Sequence, residues 1–391
     1  MEQPQDVVSA EKPEPTQEET RVMKSKCSRA GLSVAVLYGA VGEAQSISMI
    51  LMALVAIAWA VFEPSAFAGL LEYVKNPWML GADLLNNSAF VTVLLSIFLG
   101  VQAVAWGVGF VLMRLVLPPK KIEKKNLSFG RFLLIALITF GVWGAGAVIG
   151  NLSAFFGVEQ DSLFSVEYLG KALLPYLLYA VIGAPIVEEL AFRKALLDGL
   201  HGMHEGYAAV LSGLLFGLMH GNHMQFFLAF FIGMLFAMVY QRTGRIVYTM
   251  LLHGMINLTG TLPELLSLWD IDISLGWNIA VCVLIAAGLL ALFLLRKDPL
   301  LHAEPTTVPD ANRAVFENLG MRITRIAGLI LVGGQGLLLL FVSLYNTDAR
   351  RWGFCLIDLI PMGLVFLTVL LLPKFTKRYE AKPSEPTEEQ L

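Results

Sequence analysis

The chain has 391 residues, of which 56% are hydrophobic and only 15% are charged, and its formal net charge is -3. A soluble protein of this length carries more charge, and the apolar runs here repeatedly reach the roughly 20 residues that span a bilayer. These values exclude a soluble fold, and because no basic stripe is present they also argue against a nucleic-acid partner.

Apolar runs predict an all-α, polytopic membrane protein. Only helices and closed barrels satisfy every backbone group in lipid, and the alternation typical of a barrel is missing from this sequence. About ten transmembrane helices are predicted, over residues 37–62, 88–116, 132–157, 172–191, 206–221, 224–241, 246–262, 274–295, 326–345 and 353–373.

The predicted helices divide the chain into five parts. Its start is polar and rich in proline, which is typical of a disordered segment. The parts are a disordered cytoplasmic tail (1–30), three N-terminal spans (31–169), a core with the fourth to seventh spans (170–262), three C-terminal spans (263–375) and a second cytoplasmic tail (376–391). Basic residues crowd alternate loops, so the positive-inside rule places both termini in the cytoplasm. We expect the membrane to be the plasma membrane of a bacterium.

The fourth span carries a charged motif next to a proline. Pro185 removes a backbone donor, so its helix must bend where protein or water meets the freed carbonyls. Glu189 and Arg193 lie one turn apart in the order that favours an ion pair. Glu188 points about 100° away and keeps no local partner. A carboxylate in a poorly solvated pocket gains affinity for protons and can take one from water.

Two further helices carry pairs of residues at i,i+4 spacing. Phe216 and His220 share a face of the fifth span, and His253 and Asn257 share a face of the seventh. The amide of Asn257 could donate to a developing oxyanion. Each element also has a structural interpretation, because glutamate pairs often lie on solvated faces and histidines bridge helices in bundles.

Together these residues resemble the CAAX protease and bacteriocin-processing family of intramembrane peptidases, also called Abi proteins, which includes the type II CAAX prenyl endopeptidases. The resemblance covers about residues 170–262. The family's three motifs, Glu-Glu-x-x-x-Arg, Phe-x-x-x-His and His-x-x-x-Asn, match in order Glu188, Glu189 and Arg193, then Phe216 and His220, then His253 and Asn257.

The resemblance implies a role for each of these residues. Glu188 with His220 would position the attacking water, and His253 with Asn257 would stabilise the oxyanion. Glu189 and Arg193 would hold the first motif in shape. The positive-inside topology places Glu188 and His220 at different depths, so the fifth helix must start deeper or tilt if the two are to meet.

Metal dependence stays open at this stage. The family is usually labelled as metallopeptidases, whereas its prenyl-processing members resemble glutamate-dependent hydrolases, and the sequence favours the latter because it lacks His-Glu-x-x-His. If zinc is bound, its ligands would be Glu188, His220 and His253. The three cysteines lie far apart and indicate no thiolate site.

The predicted function is a peptidase that cleaves a membrane-associated protein or peptide within the lipid bilayer, in CAAX-type or bacteriocin-related processing. Two alternatives come from other classes. One is a catalytically silent membrane scaffold or immunity protein, in which we would expect a motif residue to be missing. The other is a proton-coupled transporter, which would favour a visible repeat and charges spread along a pathway.

Overall fold

The computed structural model describes residues 17–62, 88–155, 172–220 and 223–302. Within these ranges the regular structure is helical. The helices are α1 (Gln17–Phe62), α2 (Ser88–Val116), α3 (Phe129–Phe155), α4 (Leu173–Gly199), α5 (Glu205–Met219), α6 (His223–Thr243), α7 (Ile246–Ser267) and α8 (Ser274–Leu294), followed by a short 3₁₀ turn (Pro299–Leu301).

Five of the described helices, α2, α3, α4, α6 and α8, are long and apolar enough to cross a membrane. This finding supports the predicted class, a helical integral membrane protein. The predicted spans 326–345 and 353–373 lie outside the described residues, so the number of ten stays a prediction. The expectation of a disordered tail over residues 1–30 is wrong for residues 17–30, because α1 begins at Gln17, while residues 1–16 lie outside the described residues. The mixed charges of that segment are compatible with a helix that extends beyond the apolar run.

Helix α4 is not a uniform α-helix. Its α-helical segments alternate with two π-helical segments, Leu178–Gly183 and Leu190–Ala195. The α-helical segment between them, Ala184–Glu189, begins at the predicted break, with Pro185 in its first turn. Single π-helical turns often occur at functional sites because they re-aim the side chains that follow. The two π segments therefore bracket the part of α4 that carries both glutamates.

Two hydrophobic cores share helix α6. One is formed by α1, α2, the C-terminal half of α4, α5 and α6, and the other by α3, α6, α7 and α8. Helices α5 and α6 approach closely at Gly213, where a Cβ would lie 2.6 Å from the Phe230 carbonyl oxygen. Helix α6 ends at Thr243, and the next residue, Gly244, has a φ of 57° that glycine adopts without steric cost. The turn after it sends α7 back toward the glutamates of α4.

Candidate active site

A buried ion pair lies at the centre of the site. The Nε atom of Arg193 is 3.0 Å from Oε2 of Glu189, and both side chains are fully buried. The guanidinium also lies over the rings of Phe216, 4.7 Å from its centroid, and of Phe236, at 5.6 Å. The i,i+4 pair predicted from the sequence is therefore present, and the two aromatic rings shield it from lipid and water.

His253 lies between the two glutamates of α4. Its Nδ1 is 3.1 Å from Oε1 of Glu189, and its Nε2 is 3.8 Å from Oε2 of Glu188. Glu189 is paired with Arg193, so its carboxylate acts as an acceptor and Nδ1 carries the hydrogen. In the neutral imidazole the lone pair is then on Nε2, on the side of Glu188. A carboxylate that accepts from Nδ1 in this way fixes both the tautomer and the orientation of the imidazole ring.

The two glutamates differ in access. The Glu189 side chain is completely buried, whereas 14% of the Glu188 side chain is exposed. Among the described residues, Oε2 of Glu188 has no hydrogen-bond donor. Glu188 is therefore the partly exposed carboxylate of the pair, with its Oε2 atom buried on the side of His253, and Glu189 is the one that holds Arg193 and His253.

Phe216 connects the two histidine helices. Its ring contacts His253 and His220 edge-on, with centroid distances of 5.7 Å and 4.9 Å. Nδ1 of His220 donates to the Phe216 carbonyl oxygen over 2.9 Å, because that oxygen can only accept. The three motifs therefore meet around one phenyl ring, although the predicted topology separated Glu188 and His220 in depth.

Asn257 makes a contact that the sequence did not indicate. Its Nδ2 donates to the backbone carbonyl of Ala180 over 2.7 Å. Ala180 belongs to the π segment before Pro185. The helix break predicted at Pro185 thus leaves a backbone carbonyl that accepts from a side chain of another helix. One of the two hydrogens on Nδ2 is engaged, and the oxyanion role of Asn257 stays a prediction.

Two further side chains complete the site. Thr249 is buried one turn before His253 and near the Glu189 carboxylate, and its hydroxyl donates to the Ile246 carbonyl over 3.0 Å. Phe236 packs against both Arg193 and His253. The i,i+4 spacing of Thr249 and His253 was available in the sequence. Phe236 had no such signal, because α6 is apolar on every face.

The described residues do not fit the zinc set considered from the sequence. They contain no group of three or more His, Cys, Asp or Glu side chains that could hold a metal ion. Glu188 and His253 approach each other, but among the described residues no third side chain of this kind converges with them. Two converging donors are fewer than the three protein ligands of a catalytic zinc site.

Comparisons with known proteins confirm the resemblance to CAAX-type proteases. Residues 170–259, about a quarter of the chain, match the family described as type II CAAX prenyl endopeptidase Rce1-like. A curated relative, "Putative membrane peptidase YdiL" of Bacillus subtilis (strain 168), is 29% identical over 139 residues, which cover 34% of this chain and 57% of that protein. The chain thus spans little more than half the length of this relative. No solved structure matches.

Proposed function

We propose that this chain, whose residues 170–259 match a peptidase family, is an integral-membrane endopeptidase that uses Glu188 to activate water. The observation that carries the proposal is the position of His253. Its Nδ1 is held by a buried glutamate, and its Nε2 lies 3.8 Å from the partly exposed one. This arrangement orients two acceptors toward one point, as water activation requires.

The 3.8 Å separation is too long for a direct hydrogen bond and is suited to a bridging water. Glu188 and the unprotonated Nε2 of His253 are both acceptors, so the water would donate one hydrogen to each. Its oxygen lone pairs are then directed away from both groups. A water held in this way can attack a carbonyl carbon without first breaking a hydrogen bond to its own lone pairs.

The proposed reaction proceeds in two steps. The water oxygen forms a bond to the carbonyl carbon, and its proton moves to Glu188. The carbon–nitrogen bond then breaks, and Glu188 returns the proton to the leaving amine. We propose that the second hydrogen on Nδ2 of Asn257 donates to the oxyanion, and that His220 approaches the water from α5.

We further propose that the substrate is a membrane-associated protein or peptide, cut in CAAX-type or bacteriocin-related processing. The match to a family of CAAX prenyl endopeptidases supports this substrate class. The proposed location is the plasma membrane of a bacterium, with both termini in the cytoplasm. In this proposal α4 to α7 form the catalytic core, and no step requires a metal.

The proposal is tested by comparing protein N-termini in membranes from cells that produce the wild type or Glu188→Gln. The matched control is Glu264→Gln, which removes an exposed carboxylate at the far end of α7. New N-termini should appear with the wild type and the control, and should be missing with Glu188→Gln. If the same N-termini appear with Glu188→Gln, Glu188 is not the base and the proposal is wrong.

A further inference from the structure

The amide of Asn257 joins α7 to the backbone of α4. Nδ2 donates to the Ala180 carbonyl over 2.7 Å, and Ala180 lies in the π segment Leu178–Gly183. A carbonyl inside a helix normally accepts from an N–H of its own helix. A side chain from another helix is required only where that internal donor is missing.

Pro185 accounts for the missing donor. In the π segment the N–H of Ala184 donates to the Tyr179 carbonyl, five residues earlier. The same spacing pairs the next nitrogen, that of Pro185, with the Ala180 carbonyl. Proline has no N–H, so this carbonyl has no donor within its own helix. The amide of Asn257 takes the place of that donor.

Gly254 shows independently that α7 is fitted to this part of α4. A Cβ at position 254 would lie 2.8 Å from the Val181 carbonyl oxygen, the next carbonyl along α4. Only glycine allows the two backbones to approach this closely. Gly254 adjoins His253, and Asn257 follows one turn later, so both contacts anchor the helix segment that presents His253.

We propose that Asn257 is a positioning residue that sets the distance between Glu188 and His253. By satisfying the carbonyl that Pro185 leaves without a donor, it fixes α7 against α4 at Ala180, eight residues before Glu188. This inference rests on the proposed function of Glu188. The hydrogen bond itself can be tested without a substrate.

A stability cycle tests the contact in the purified full-length protein. Asn257→Leu keeps a branched side chain of similar shape but removes the donor, and should lower the Tm by about 1–4 °C, the shift expected when a partly buried carbonyl loses its donor in a chain of this size. Pro185→Ala supplies an N–H to α4. In that background Asn257→Leu should lower the Tm by less than half as much.

The matched control for Pro185→Ala is Pro175→Ala. Pro175 lies in the first turn of α4, where an N–H needs no partner within the helix. In the Pro175→Ala background the Tm loss from Asn257→Leu should be undiminished. Equal losses in the Pro185→Ala and wild-type backgrounds would overturn the inference. An unchanged Tm with a lower kcat would also overturn it and leave only the oxyanion role.

The pH profile separates positioning from a purely structural role. His253 of α7 faces Glu188, and two residues of α4, Arg193 and Tyr179, interact electrostatically with the Glu188 carboxylate. If Asn257 sets these distances, Asn257→Leu should shift the acid limb of kcat/KM. Asn257→Ser keeps a hydrogen-bond donor, so it should change both the Tm and the acid limb of the kcat/KM profile less than Asn257→Leu does. It also serves as the test variant if Asn257→Leu does not fold.

An unchanged acid limb beside a lowered Tm would show that Asn257 only stabilises the fold, which contradicts the inference. The two proposals fail in different ways. If the wild type cleaves no substrate, the proposed function fails while the stability cycle still reports on the contact. If cleavage occurs and the cycle is additive, only the positioning role fails.

Discussion

Replacing Glu189 with Gln removes the charge that balances Arg193 while keeping the shape of the side chain. Both side chains are fully buried, and the charged atoms are 3.0 Å apart. The variant leaves the guanidinium between two phenyl rings without a counter-charge. It also changes the group that accepts from Nδ1 of His253.

The expected cost is set by the burial of the pair. Loss of one partner of a buried ion pair typically costs about 3–5 kcal/mol, because the remaining charge stays desolvated. An exposed pair would cost at most about 1 kcal/mol. We therefore expect Glu189→Gln to lower the free energy of unfolding by about 3–5 kcal/mol.

A double variant separates charge from packing. Glu189→Leu combined with Arg193→Met removes both charges and retains most of the volume, and replacing a buried pair by apolar residues is often neutral for stability. Unfolding in detergent, followed by tryptophan fluorescence, should therefore show a large loss for Glu189→Gln and a small loss for the double variant. Both should be inactive, since neither keeps the carboxylate that fixes His253.

The outcome that refutes this reasoning is a loss below about 1 kcal/mol for Glu189→Gln, which would mean that water reaches the pair. A double variant as unstable as Glu189→Gln would instead show that the contacts of these side chains, and not the stranded charge, set the cost.

Three other predictions concern the surroundings of the site. Phe216→Leu should lower the free energy of unfolding, measured by denaturation, by about 1–3 kcal/mol, because it removes the cation–π contact with Arg193 and the edge-on contacts with the rings of His220 and His253. Partial burial and, after it, the charges of Lys120 and Lys26 hold the pKa of His201 below its usual value. The unfolded chain therefore binds more protons than the folded chain, so the Tm should fall as the pH drops below about 6.5. In His201→Gln the Tm should fall less over the same pH range. Active protein should contain far less than one zinc per chain by elemental analysis and keep its activity with a chelator, since two donors converge and not three.

Much of the fold follows from local patterns in the sequence. Apolar runs of about 20 residues predicted the described helices to within a few residues at most ends, because the lipid requirement for internal hydrogen bonds leaves few alternatives. The start of α1 was missed, since polar residues at Gln17 and after it resemble a disordered tail. Nothing in hydropathy distinguishes a polar tail from a polar helix end.

The candidate site was predicted less completely. The Glu189 and Arg193 pair followed from i,i+4 spacing, and the meeting of the motifs followed from the family resemblance. The placement of His253 against both glutamates did not follow, because it depends on how α7 packs on α4.

The partner of Asn257 was also beyond sequence reasoning. The missing donor of Pro185 predicts that a carbonyl must be satisfied, but not which carbonyl or by which residue. The π register of Leu178–Gly183 selects Ala180, and the glycine at 254 brings α7 near enough. Long-range packing, and not local propensity, fixes this contact.

The most direct measurement of the central claim is the kcat of purified Glu188→Gln on a substrate identified from its new N-terminus. The amide keeps the shape of the side chain but cannot accept a proton from water, so kcat should fall by about 10²–10⁴. The Tm should stay close to that of the wild type, and Glu264→Gln should keep full activity. Wild-type kcat in Glu188→Gln would contradict water activation by this carboxylate.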